Sequence, residues 1–158
     1  MRHVLVIDDD PVVCATIIET LQAWPETSVT RALDTASAAQ KLRESHFDLA
    51  LIDGSLAGAS STQLAEVAAN ENTPVLLLSG HPDINRTALA FRFPYLTKPF
   101  SVSELLMRSR DALAQARENV ACVKASAARL QASIDAAKTA MEDAQNLLAR
   151  LNVPQRGL

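Results

Sequence analysis

Residues 3–13 read HVLVIDDDPVV, and the way this stretch ends decides the fold. The apolar run at 4–7 has the length and β-branched content of a strand buried on both faces. It gives way to three successive carboxylates, Asp8, Asp9 and Asp10, and then to Pro11. An Asp before a proline at the first helical position is a good N-cap, so Asp10 is expected to turn the chain from strand into helix. Asp8 and Asp9 are left over: two like charges at the mouth of the core, which need a reason.

Working outward, the same alternation recurs. Apolar runs at 3–7, 28–33, 47–52, 74–79 and 94–97 are expected strands, and amphipathic stretches at 11–24, 35–45, 60–70 and 83–90 expected helices, with Asp34 a second capping residue. Five such alternations predict an α/β fold: a five-stranded, parallel, doubly wound sheet with helices on both faces. In such sheets ligands bind at the carboxyl ends of the strands. The residues found there are Asp8 and Asp9 after the first run, Asp53 after the third, Ser79 at the end of the fourth and Lys98 after the fifth. Singly, each is an ordinary turn or capping residue. Together they bring three carboxylates, a hydroxyl and an ammonium to one edge.

Composition limits what this edge can belong to. The 158 residues allow one domain and an appendage, and 48% hydrophobic with 21% charged residues is the balance of a soluble globular chain. No apolar run approaches the roughly 18 residues of a membrane span, and the first strand is reached without a charged leader or cleavage site, so a cytoplasmic protein is expected. Residues 1–100 carry seven bases and twelve acids, net −5, and residues 101–158 carry eight and six, net +2. Neither part is basic enough for a nucleic-acid footprint. Cys14 and Cys122 lack metal or redox spacing and are expected to be reduced, structural thiols.

Crowded carboxylates repel unless a cation shares their site. A hard divalent ion such as Mg²⁺ takes oxygen ligands from one or two carboxylates together with water and phosphate oxygens, which explains why the acids tolerate one another. Beside such an ion a carboxylate can act as nucleophile towards a phosphoryl donor, with Lys98 neutralising phosphoryl oxygens and the Ser79 hydroxyl donating to one of them.

In these motifs the sequence resembles the receiver domain of bacterial two-component response regulators: VIDDD for the acid pair, LALIDGS for the acceptor, LLLSGH for the hydroxyl and YLTKPF for the lysine. The resemblance covers residues 1–116 and implies that Asp53 takes a phosphoryl group from a sensor histidine kinase or phosphotransfer protein. It implies Mg²⁺ held by Asp9, Asp53 and the backbone carbonyl of Ser55, with Asp8 acting through water. It further implies a switch pair of Ser79 and Tyr95, and a cis peptide bond between Lys98 and Pro99. Three features depart from the pattern. The loop GSLAGASS lacks the usual Met-Pro, the span from Ser79 to Lys98 is about one helical turn short, and Arg92-Phe93-Pro94 stands where Gly-Ala is common. His81 is either a modulator of dephosphorylation or an exposed loop residue.

Two other readings compete. VIDDDPV also fits the DxDx(T/V) opening of haloacid-dehalogenase-like phosphatases, with Asp8 as nucleophile and Asp10 as acid and base. That family needs further acids on a strand beyond the lysine, and the reading leaves Asp53 without a role. A receiver-fold scaffold that no longer switches is the second alternative, and it leaves the acidic edge unused.

After Lys98 the sequence becomes simpler. Ser101 and Glu104 form a capping box, and no Gly or Pro follows until Pro154, so one helix of about 75 Å is expected over 101–152. Counted from Leu106, heptad position a holds Leu106, Leu113, Val120, Ala127, Ile134, Met141 and Leu148, and position d holds Ser109, Ala116, Val123, Leu130, Ala137, Ala144 and Leu151. Thirteen of these fourteen are apolar, a coiled-coil signal that predicts a homo-oligomer through residues 106–151. The flanking e positions are basic or amide and the g positions small or apolar, so neither parallel nor antiparallel pairing gains e to g salt bridges. The organisation expected is a receiver at 1–116, a helical coiled-coil extension at 117–151 and a tail at 152–158. Its output is expected to be contact with a further, unidentified protein, without a DNA-binding domain.

Overall fold

Strand β1 (Arg2–Ile7) lies inside the sheet because its residues from Val4 to Ile7 have no polar side chain to keep in water, and all four are fully buried. The computed structural model describes residues 1–56, 61–80 and 92–151. β1 is flanked by β2 (Thr27–Ala32) and β3 (Leu49–Asp53), and β4 (Val75–Ser79) and β5 (Tyr95–Thr97) extend the sheet. Every pairing is parallel, as expected of a doubly wound sheet, and the order β2-β1-β3-β4-β5 is flavodoxin-like. The direction of winding reverses between β1 and β3, and the Ile7 to Ile52 register brings their carboxyl ends level.

Two-residue periodicity divides the core. Leu5, Ile7, Ala50, Ile52, Val75 and Leu77 face α2 (Thr35–Glu44) and α3 (Ser61–Asn70), with Leu42 and Leu64 packed on them. Val4, Val6, Leu49, Leu51, Leu76 and Leu78 face α1 (Pro11–Gln22) and the first turns of α4 (Val102–Leu151), meeting Ile17, Leu21, Leu105 and Leu113. Such burial is worth about 1.5–3 kcal/mol for each large side chain. Trp24 closes the second cluster, with the Arg2 guanidinium 4.3 Å and the Arg110 guanidinium 5.4 Å from its ring centroid.

Several boundaries differ from expectation for local reasons. α1 ends at Gln22, not 24: Ala23 caps it, the Trp24 N–H bonds to the Leu21 carbonyl at 3.0 Å, and Pro25 follows. β3 starts at Leu49 because the Asp48 side chain accepts the His3 N–H at 2.8 Å, a place a ladder carbonyl would take. Pro94, with no N–H to give, stays outside β5, although its carbonyl accepts from Leu77 at 2.9 Å. The helix expected at 83–90, His81, most of the loop after Asp53 and the tail at 152–158 lie outside the described residues.

The capping box opens α4. Glu104 Oε2 accepts the Ser101 N–H and the Ser101 hydroxyl, each at 2.7 Å, which holds the Glu104 carboxyl below its ordinary pKa, and the Glu104 N–H donates back to Ser101 Oγ at 3.2 Å. The chain divides into two compact units, Met1–Ala116 and Arg117–Leu158. In the first, α4 buries Leu105, Ser109, Ala112 and Leu113 at helical spacing. Leu113 and Ser109 are therefore core residues of this unit, which narrows the stripe left for an oligomer seam to residues beyond 116. In the second, Val120, Val123, Leu130, Ile134, Met141 and Leu148 are exposed. Among the described residues, no helix is long and apolar enough to cross a membrane.

Candidate functional site

The site is assembled by strand ends. β1 delivers Asp8, 1% exposed, and the exposed Asp9, while β3 ends on Asp53, 4% exposed. One carboxylate oxygen from each of the three lies within 4.8 Å of the others. Beyond β5, Lys98 sends its Nζ between two of them, 2.9 Å from Asp8 Oδ2 and 2.8 Å from Asp53 Oδ1. Asp8 Oδ1 accepts the Asp10 N–H at 2.9 Å, so both of its oxygens are engaged. Burial pulls the Lys98 pKa down, but the hydrogen bonds and charges of Asp53 and Asp8 outweigh it and leave the pKa raised.

Formal charge decides what the cluster can hold. Three carboxylates against one ammonium leave −2 at the edge, and an all-oxygen donor set suits a hard divalent cation. The residues present fit Mg²⁺.

Ser79 ends β4 almost fully buried, and its carbonyl accepts the Lys98 N–H at 2.7 Å, which ties the end of β5 to the end of β4. The Lys98–Pro99 bond is cis. Tyr95 opens β5 half-buried, packed against the cluster that contains Leu77 and Phe93. Ser55 lies exposed in the turn after Asp53. Asp10 is taken up by capping: its Oδ1 accepts from Val12 at 2.8 Å and Val13 at 3.3 Å, at the start of α1. The structure thus brings Asp8, Asp9, Asp53 and Lys98 into one cluster, with Ser79 joined to Lys98 through the backbone and the Asp10 side chain turned to the α1 cap.

Gly54 is a positioning residue that the sequence reading passed over. Its N–H donates to the Leu78 carbonyl at 2.6 Å, and a Cβ there would come 3.2 Å from that oxygen and 3.5 Å from Ser79 Oγ. The absence of a side chain lets the chain after Asp53 run close under the Ser79 hydroxyl. The only signal was a glycine directly after a strand-terminal acid.

Comparison with known proteins follows the same lines. The family model described as response regulator receiver domain matches residues 4–110. The heme response regulator HssR of Staphylococcus aureus is 32% identical over 117 residues, 72% of this chain and 52% of its own length. The chain thus spans about half the length of the curated relatives it matches. Among solved structures, the receiver domain of Francisella response regulator 1452 is similar with a TM-score of 0.64 at 27% identity, over 73% of this chain and 98% of its own. A CheY-like receiver domain protein from Methanospirillum hungatei JF-1 has a TM-score of 0.68 at 20% identity, over 75% and 98%. A trimeric coiled-coil segment of yeast Spc42 fused to another structure reaches 0.71 at 21% identity, over 94% and 96%.

Proposed function

We infer that this chain, which belongs to the response regulator receiver domain family, is a phosphorylation-controlled switch of a two-component system, with Asp53 as acceptor and protein contact as output. The observation that carries this reading is the Lys98 ammonium bridging Asp8 and Asp53 beside Asp9. Buried carboxylates cost several kcal/mol to desolvate, and a purely structural edge has no reason to bury two of them beside a third.

A carboxylate oxygen of Asp53 attacks the phosphorus of a phosphohistidine on a sensor kinase or phosphotransfer protein. The new O–P bond forms as the P–N bond breaks, and the leaving imidazole keeps the electron pair and takes a proton from water. Mg²⁺, when bound by Asp9, Asp53 and the Ser55 carbonyl with Asp8 acting through water, supplies positive charge for the phosphoryl oxygens. Lys98 gives up its bond to Asp53 Oδ1 and pairs with the incoming phosphoryl group, and the Ser79 hydroxyl donates to another of its oxygens. Tyr95, half-buried two residues before Thr97, follows Ser79 as the second member of the switch. Residues 1–116 act as the receiver and residues 117–151 as a coiled-coil extension that joins copies of the chain, within the cytoplasm.

The commitment of Asp10 to the α1 cap counts against a phosphatase that needs it as acid and base. The test is chemical. Incubation with Mg²⁺ and a small-molecule phosphodonor should give a single modification at Asp53 by mass spectrometry, lost in Asp53→Asn. Label on Asp8 would restore the phosphatase reading, and no label under any donor would make the chain a non-switching scaffold.

A further inference from the structure

Resting on the reading that residues 117–151 self-associate, we propose that this extension pairs antiparallel with a second copy of itself, in the register that sets Leu130 against Met141 of the second copy. The exposed apolar stripe calls for a cover, since Val123, Leu130, Met141 and Leu148 are each between 63% and 68% exposed. What selects the occupant and its direction is charge. Residues 117–134 carry three bases and one acid, net +2, while residues 135–151 carry two bases and three acids, net −1. Parallel pairing lays each segment beside its own copy, like charge against like. Antiparallel pairing lays the basic segment beside the acidic one, and the opposed helix macrodipoles act in the same sense.

The stripe is also self-complementary in this register. In an antiparallel pair a residues face d residues, and one alignment places Val123 opposite Leu148, Ala127 opposite Ala144, Leu130 opposite Met141 and Ile134 opposite Ala137. Two-fold symmetry repeats every one of these layers. Bulky side chains meet in the outer layers and alanines let the backbones close between them. On the e flank the same alignment sets Lys124 level with Gln145 and Gln131 level with Lys138, so each ammonium meets a side-chain amide oxygen and no base faces a base.

Disulfide trapping separates the possibilities in the full-length chain. Cys122, exposed, is replaced by Ser, and Cys14 is buried with a thiol pKa raised first by burial and then by Asp8, so it does not compete. Opposed core cysteines lie within bonding distance. Leu130→Cys with Met141→Cys should give a covalent dimer on mild oxidation, and Leu130→Cys or Met141→Cys alone should not. A covalent dimer from either single variant means parallel pairing and overturns the proposal. A chain that sediments as a dimer while none of the three variants cross-links has another register, which also overturns it. A chain that sediments as a monomer at tens of micromolar removes the self-association reading itself. Gln145→Glu gives an independent check: the new carboxylate meets Lys124 of the second copy, twice per antiparallel dimer, and should tighten association about 2- to 30-fold. In a parallel pair residue 145 faces Ala140, and an unchanged constant refutes the antiparallel arrangement.

Discussion

At the scale of single residues, Lys98 controls the acidic edge. Lys98→Met leaves two buried carboxylates without their shared cation and should lower stability by about 1–3 kcal/mol in metal-free buffer, after discounting for the partial exposure of the lysine. Denaturant titration measures this, and added Mg²⁺ should recover part of the loss. The pH dependence has a definite sign. A lysine whose pKa rises on folding stabilises the protein below its ordinary value near 10.5 and loses that contribution as pH climbs through the raised value. The wild type should therefore lose stability above about pH 10.5 faster than Lys98→Met. Two hydroxyls act in the opposite way: Ser109 Oγ and Thr73 Oγ1 are buried without a hydrogen-bond partner. Ser109→Ala and Thr73→Val should be neutral or stabilising by up to about 1 kcal/mol, read as a rise in Tm. The acids, the lysine and the capping role of Asp10 could be read from sequence because each stands directly after an apolar run or before a proline. Gly54 could not, since its importance lies in the closeness of Leu78 and Ser79, which are remote in sequence.

At the scale of elements, the caps carry testable weight. Asp10→Ala removes the acceptor for two N–H groups at the start of α1 and should cost about 1 kcal/mol, with the far-UV spectrum unchanged. Asp34 holds the Ser37 N–H at 2.7 Å, and that bond keeps its carboxyl below the usual value. The α2 cap is thus at full strength above pH 3.8 and weakens as pH falls through the lowered pKa, so Asp34→Asn should flatten the acid limb of the stability profile. The strands and their alternation with helices followed from apolar runs and helical spacing. Strand ends did not, because side chains displaced backbone pairing, as Asp48 does for His3, or because a proline had no N–H to offer, as at Pro94. The start of the expected heptad seam failed for a related reason. An apolar residue at helical spacing satisfies a sheet and a partner helix equally well, and only packing shows that Leu113 belongs to the sheet.

At the scale of the molecule, the division at Ala116 predicts that residues 1–116 fold alone. A chain cut after Ala116 should keep a cooperative thermal transition and sediment as a monomer, because every described strand and its covering helical turns precede the cut. Maleimide should label Cys122 in the folded full-length protein and reach Cys14 only on unfolding. The internal place of β1, between β2 and β3, also sets an order in time. Its two edges are filled by β2 and β3, at registers about 25 and 45 residues downstream, so the sheet nucleates through non-local pairing. Mixed α/β domains of this kind fold within milliseconds to about a second. Synthesis of the 35 residues from 117 to 151 takes roughly 2–7 s. The strands thus leave the ribosome before the sticky stripe, and a nascent chain meets its own sheet before it meets a neighbour.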